Sequence, residues 1–266
     1  GYTYNIRQTE MEEKFIGWST MLMAFTGSAG WKHYYKKSNL SFYSVLSGQA
    51  VIHMGFSGLM PNDLAVAKAS KLAIKYGVAW NTAGGSHHAN YDGGAGYCVF
   101  NDVAVAAQYL LDRGLAGRIL IVDLDVHQGN GNADIFANNK NVFTFSMHSK
   151  SNYPAKKSIS DLDVELDDNM EDAQYIKILD FYLNQLNDEN FDFVFYIAGV
   201  DIHYNDRLGK LKISDNGIFE RDELVIDNFF SNKIPICGVL GGGYNEDFNK
   251  LVELHSSLHK TCAKFL

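Results

Sequence analysis

The sequence predicts an α/β fold, a mostly parallel central sheet with helices on both faces. Three observations carry that prediction. Strand-like and helix-like segments alternate from about residue 71 onward, as βαβ units require. The strand candidates are continuous β-rich runs rather than alternating ones, the pattern of strands covered on both faces. The residues with the most chemistry stand just past the ends of those runs, where open parallel sheets bind ligands.

Asp63 to Lys75 has helical apolar spacing, with Asn62 or Asp63 as its cap and Gly77 at its end. Val78 to Asn81 is a short strand that runs into the loop Ala83-Gly84-Gly85-Ser86-His87-His88-Ala89. Asp102 to Arg113 reads as a helix capped by Asn101 or Asp102 and closed by Gly114. Arg118 to Val122, Val142 to Met147, Phe191 to Ala198 and Ile234 to Leu240 are buried-strand candidates. Helices are expected between them over Glu171 to Leu186, Arg221 to Phe230 and Asp247 to Lys264. The first sixty residues, rich in aromatics and small polar residues, show no clean period. Within them Met21 to Ala29 is apolar but short, which suits a buried helix turn or a loop.

The chain has 266 residues, 46% hydrophobic and 20% charged, enough for a core of useful size. Three prolines, no repeat and no low-complexity stretch leave no mark of a domain boundary. A net charge of -8 argues against nucleic acid as the main ligand and is compatible with a cationic partner such as a lysine-rich tail. Cys98, Cys237 and Cys262 are scattered and odd in number, so a reducing compartment is expected. With no leader and no apolar run that would span a bilayer, the expectation is a soluble, intracellular protein, cytoplasmic or nuclear.

Four clusters follow strands: His87-His88, Asp123-Leu124-Asp125-Val126-His127, Asp201, and Gly241-Gly242-Gly243-Tyr244. Adjacent histidines allow one ring to hold a proton while the other takes one. Asp125 and His127, two apart on what reads as an extended segment, are expected to point the same way. One carboxylate oxygen and one imidazole nitrogen suit Zn²⁺ or Fe²⁺, and Asp201 is the natural third ligand. An isolated Asp-x-His is more often a cap or a surface acid; four clusters converging on one sheet end outweigh that alternative. Asp123 is placed to accept from one imidazole and Asn130 to meet the other. Tyr244 would reach a developing oxyanion with its hydroxyl, after glycines that allow close backbone approach.

These motifs, together with Gly96 to Asp102, Ala198 to Asp201 and Asp206 to Ser214, resemble the histone deacetylase family, most closely its class IV branch. Gln128 and the run Arg221 to Val225 point to that branch, and the resemblance covers roughly residues 75 to 245. It implies the arginase-deacetylase fold, a single catalytic domain over 1–266 with residues 1–70 divergent or incomplete, and hydrolysis of acylated lysine. It implies Asp125, His127 and Asp201 as zinc ligands, His88 as general base and acid, His87 as its electrostatic partner, and Tyr244 as oxyanion donor. Gly96 would accept the substrate amide proton, Tyr97 and Tyr153 would wall an acyl-lysine tunnel, and Gly242 and Gly243 would lie beside the substrate. A structural K⁺ would sit on Asp123, Asp125, His127, Ser146 and Met147.

The chain departs from the family pattern in places. Asn130 stands where some relatives have Asp, His203 replaces a common apolar residue and either faces the tunnel or, the preferred reading, lies at the surface, and the family's early strand and arginine are not recognisable in residues 1 to 70. Class IV relatives are associated with long fatty acyl groups as well as acetyl, and small residues at Gly17, Ala24, Gly27 and Gly30 would leave room for such a chain. Three rivals stand beside this reading: an arginase-like two-metal enzyme, which needs carboxylates not seen here, a silent acyl-lysine binding protein, and an acetylpolyamine hydrolase. The sequence leaves the oligomeric state open.

Overall fold

In the computed structural model, residues 41–42, 52–53 and 61–265 are described. Met21 to Ala29 and the small residues Gly17, Ala24, Gly27 and Gly30 lie outside them. Two short strands, β1 (Ser41–Phe42) and β2 (Ile52–His53), pair antiparallel. The rest of the described chain runs α1 (Pro61–Tyr76), β3 (Val78–Trp80), α2 (Asp102–Asp112), β4 (Ile119–Asp123), α3 (Asn130–Phe136), β5 (Val142–Ser149) and β6 (Leu162–Leu166). It continues through α4 (Asp172–Leu186), β7 (Phe193–Ile197), α5 (Asp215–Ser231), β8 (Ile236–Val239) and α6 (Phe248–Ala263).

The main sheet has six strands in the order β3-β8-β7-β4-β5-β6, every neighbouring pair parallel. The expected parallel sheet is therefore present, and it is wholly rather than mostly parallel. Successive residues of β4 serve opposite faces. Leu120 and Val122 join Val194 and Tyr196 in a core under α4, α5 and α6. Ile119 and Ile121 join Phe193, Phe195 and Ile197 in a second core under α1 and α2. Two apolar faces explain why these strands read as unbroken hydrophobic runs.

The caps follow local chemistry. Asn101 caps α2 by accepting from Ala104 N, and Asp247 caps α6 by accepting from Asn249 and Lys250 N. Beyond β1 and β2, two further elements were not expected. β6 alternates apolar and acidic residues because it is an edge strand, and α3 is seven residues of Asn-Gly-Asn-Ala-Asp-Ile-Phe with little intrinsic helix preference. α5 begins at Asp215 rather than Arg221, capped by the Ser214 side chain on Gly217 N.

From β4 the chain steps through β5 to β6 on one side, while β7 and β8 fill the other. The reversal lies between β4 and β7, so the loops leaving these adjacent strands diverge there and open a crevice. Those loops carry Asp123 to His127 and Asp201.

Candidate active site

β4 ends at Asp123, and residues 125–127 form a bend rather than the extended segment expected. Asp125 and His127 still converge, because Asp125 Oδ1 accepts from the His127 amide at 2.9 Å and closes the turn. His127 Nδ1 then stands 3.0 Å from Asp125 Oδ1 and 3.0 Å from Asp201 Oδ2. Gly242 N donates to the other Asp125 oxygen at 2.6 Å, and Val126 N donates to Asp201 Oδ1 at 2.9 Å. A Cβ on Gly242 would fall 2.3 Å from Asp201 Oδ2, so only glycine permits that approach.

The three residues are buried and their ligand atoms lie within 4.8 Å of one another. Two carboxylates sealed at such a distance need a compensating cation. The protonation of the site shows that demand. Burial alone would lower the His127 pKa, but hydrogen bonds to Asp125 and Asp201 and their charges lift it to about 10. Burial and then the Asp125 charge push Asp201 up to about 7. A divalent ion would replace those protons, and the donor set of two oxygens and one nitrogen fits Zn²⁺ or Fe²⁺.

The histidine pair sits beside this cluster with ring centroids 4.0 Å apart. Its loop is clamped at both ends. Asp102 accepts from Ser86 N at 2.9 Å and Gly85 N at 3.2 Å, and the His87 carbonyl accepts from Gly131 N at 2.9 Å. That last bond ties the N-terminus of α3 to the loop, which gives this short helix its tertiary support. His87 Nδ1 bonds Asp123 Oδ2 at 2.6 Å, and His88 Nδ1 bonds Asn130 Oδ1 at 2.7 Å, the two pairings expected. An amide oxygen accepts only, so His88 carries its proton on Nδ1 and leaves Nε2 as a base.

Burial would lower His87, but Asp123 and then Asp125 outweigh it and hold it up at about 9. Burial and the His87 charge together push His88 down to about 2. Near neutral pH the pair thus holds one protonated and one free ring. The His87 value rises from 6.5, so its stabilising contribution is full below pH 6.5 and is lost as pH rises through about 9. In protein stripped of divalent ions, Asp123→Asn is expected to flatten that alkaline loss, read as thermal unfolding against pH. An identical slope in both proteins would contradict the pairing.

Gly96, at φ +51°, lies flat on His88: a Cβ there would meet the His88 Cδ2 at 2.2 Å. Tyr97 and Tyr153 are 55% and 44% exposed. The Tyr97 ring is 6.3 Å from Tyr244, and Tyr153 stands edge-on to His88 at 4.8 Å. Tyr244 is 6.1 Å from the His127 ring. Burial and then the charges of Asp201 and Asp125 push the Tyr244 hydroxyl well above its ordinary pKa, so it remains a donor. Gly243 packs against Val200, His255 and Leu251. Ser146 is the register partner of Asp123 and its Oγ accepts from Gly129 N at 3.3 Å, while Met147 is buried behind it. Burial pushes the Cys98 thiol up to about 12.

A second expectation is corrected. His203 is not a surface residue but 1% exposed, its Nε2 paired with Asp215 Oδ1 at 2.9 Å at the start of α5. Two carboxylates were given no role at the site by the sequence. Asp206 Oδ2 accepts from the Tyr244 amide at 2.7 Å and so fixes the donor's backbone, and Asp102 braces the histidine loop. Both act on distant backbone N–H groups, which no local spacing reveals.

Comparison with known proteins agrees with this geometry. The chain is 47% identical over 192 residues, 72% of its length and 64% of the relative's, to an uncharacterized protein of Picosynechococcus sp. (strain ATCC 27264 / PCC 7002 / PR-6). It is 35% identical over 190 residues to histone deacetylase 2 of Arabidopsis thaliana, covering 69% of this chain and 49% of that one. Against the acetoin utilization protein AcuC of Staphylococcus aureus (strain COL) the identity is 31%, over 61% of this chain and 45% of that one. The chain therefore spans about half to two thirds of the length of these relatives. Among solved structures, the HDA15 HD domain superposes with a TM-score of 0.67 at 20% identity, covering 96% of this chain and 75% of that one. An acetylpolyamine aminohydrolase from Burkholderia pseudomallei gives 0.65 at 18%, covering 95% and 81%. These two likenesses concern the fold, the same layered sheet. The sequence pattern of the histone deacetylase domain matches residues 42–258, the span that builds every cluster described above, and with it the chain belongs to the histone deacetylase family.

Proposed function

We propose that the chain hydrolyses the amide of an acylated lysine side chain in a protein or peptide, with Zn²⁺ held by Asp125, His127 and Asp201. The observation that carries this reading is a free His88 ring, backed by a charged His87, beside a buried Asp-His-Asp cluster, with the Tyr153 ring edge-on to His88. Bound there, a divalent cation supplies Lewis-acid polarisation of the scissile carbonyl and a water of lowered pKa.

The chain's own residues do the rest. Tyr97 and Tyr153 sandwich the lysine methylenes, and the Gly96 carbonyl accepts the amide N–H. His88 Nε2 takes a proton from the attacking water and returns it to the leaving amine. His87 remains protonated on Asp123 and keeps His88 from charging early. The Tyr244 hydroxyl donates to the developing oxyanion, with Gly242 and Gly243 letting that loop approach closely. A structural K⁺ on the Asp123 carboxylate, Ser146 and the backbone oxygens of Asp125, His127 and Met147 belongs to the same proposal.

The test is hydrolysis of lysine peptides carrying acetyl through myristoyl groups, beside an acetylated polyamine. Turnover on peptides is the expected result, and its dependence on chain length reports the acyl group the site takes. Turnover on the polyamine alone would replace the peptide reading. Metal binding without turnover on any substrate would favour a silent acyl-lysine binding protein.

A further inference from the structure

Arg221 heads the largest fully buried side chains among the described residues, and the proposed reaction does not use it. It lies in α5 beneath the crevice. Its Nε and Nη2 donate to Asp222 Oδ1 at 3.0 and 2.8 Å, and the Tyr196 hydroxyl donates to the same oxygen at 2.6 Å. Its guanidinium carbon is 5.9 Å from the centre of the Tyr196 ring. The remaining nitrogen face points at main chain. Nη1 donates to the Gly199 carbonyl at 2.5 Å and reaches that of Leu124 at 3.5 Å, while Nη2 reaches that of Ala198 at 3.4 Å.

These carbonyls have a special position. Leu124 immediately precedes Asp125, and Ala198 and Gly199 lead into Asp201. One planar fork thus spans the two loops that diverge from β4 and β7, each just before a candidate ligand. The loops already touch closely, since a Cβ on Gly199 would fall 2.8 Å from the Asp125 Cα. Asp222 neutralises the guanidinium, so the pair adds direction at the ligands rather than net charge. Burial would lower the Arg221 pKa, but Asp222 outweighs it, and the fork is charged at every accessible pH. A buried ion pair is a weak source of stability, because desolvation offsets its attraction. A geometric task accounts better for a charge placed here.

We infer that Arg221, oriented by Asp222 and Tyr196, is a positioning residue that sets the spacing of Asp125 and Asp201 and so tunes the affinity of the site for its divalent ion. This inference rests on the metal reading above. Groups that orient ligands from behind are worth about 10- to 100-fold in metal affinity.

The experiment measures Zn²⁺ and Co²⁺ affinity by competition with a chromophoric chelator, and the visible spectrum of the Co²⁺ protein, in wild type and two variants. Arg221→Lys keeps the charge and loses the planar fork. The double variant R221M/D222L replaces the pair with apolar side chains of similar volume, an exchange that buried ion pairs often tolerate, and it decides the question should the lysine variant fail to fold. Expected are folded proteins by circular dichroism, affinity lower by about 10- to 100-fold, an altered Co²⁺ spectrum, and kcat reduced with KM little changed. Wild-type affinity and spectrum in a folded variant would overturn the inference. A wild type that binds neither ion would instead show the metal reading itself to be wrong, and the inference would fall with it.

Discussion

Replacing His88 by alanine is expected to lower kcat by about 10²- to 10⁴-fold on an acyl-lysine peptide, with KM little changed. The magnitude is that of a positioned general base, and the structure gives the reasons for choosing this ring. Its Nδ1 is committed to Asn130 Oδ1, which leaves the Nε2 lone pair free, and burial with the adjacent His87 charge keeps the ring neutral. His87 is differently placed. Its Nδ1 is bound to Asp123 and its Nε2 lies 3.8 Å from Asp125 Oδ1, so it stays protonated and cannot take the water's proton. Steady-state kinetics on H88A and H87A separate the two roles. A larger kcat loss in H87A than in H88A would reverse the assignment.

Tyr244→Phe is expected to cost about 10²- to 10³-fold in kcat, the loss seen when one oxyanion donor is removed. The hydroxyl is the only group deleted, and its high pKa means a donor rather than a charge is lost. Asp206 holds the Tyr244 amide at 2.7 Å, so the ring of the variant should keep its place. Metal content measured on the same preparation should match wild type. Unchanged kcat would remove Tyr244 from the reaction.

Much of this architecture was legible in the chain. The buried strands read as unbroken apolar runs because each serves two cores, and the chemistry-bearing clusters announced themselves by following those runs. What escaped was decided by distant partners. The start of α5 was hidden by Gly217, a poor helix former retained because a Cβ there would fall 2.3 Å from Asp172 Oδ1. β6 hid behind Asp163 and Glu165, polar because the strand is an edge, with Asp163 taken up by Gln128 at 2.8 Å. The extended reading of Asp125 to His127 failed because a carboxylate that caps its own turn bends the chain, yet the bend brings the same two side chains together. His203 reads as a surface residue until the fold supplies Asp215. Arg221 carries no local sign of burial at all; its carbonyl partners lie up to 97 residues away.

The most direct test of the central claim is turnover of an acetyl-lysine peptide by protein treated with a strong chelator, dialysed, and then titrated with Zn²⁺. The account predicts no turnover after chelation and recovery that saturates at one ion per chain, with an Asp201→Ala variant failing to recover. Undiminished turnover in chelated protein, or full recovery in the variant, would contradict it.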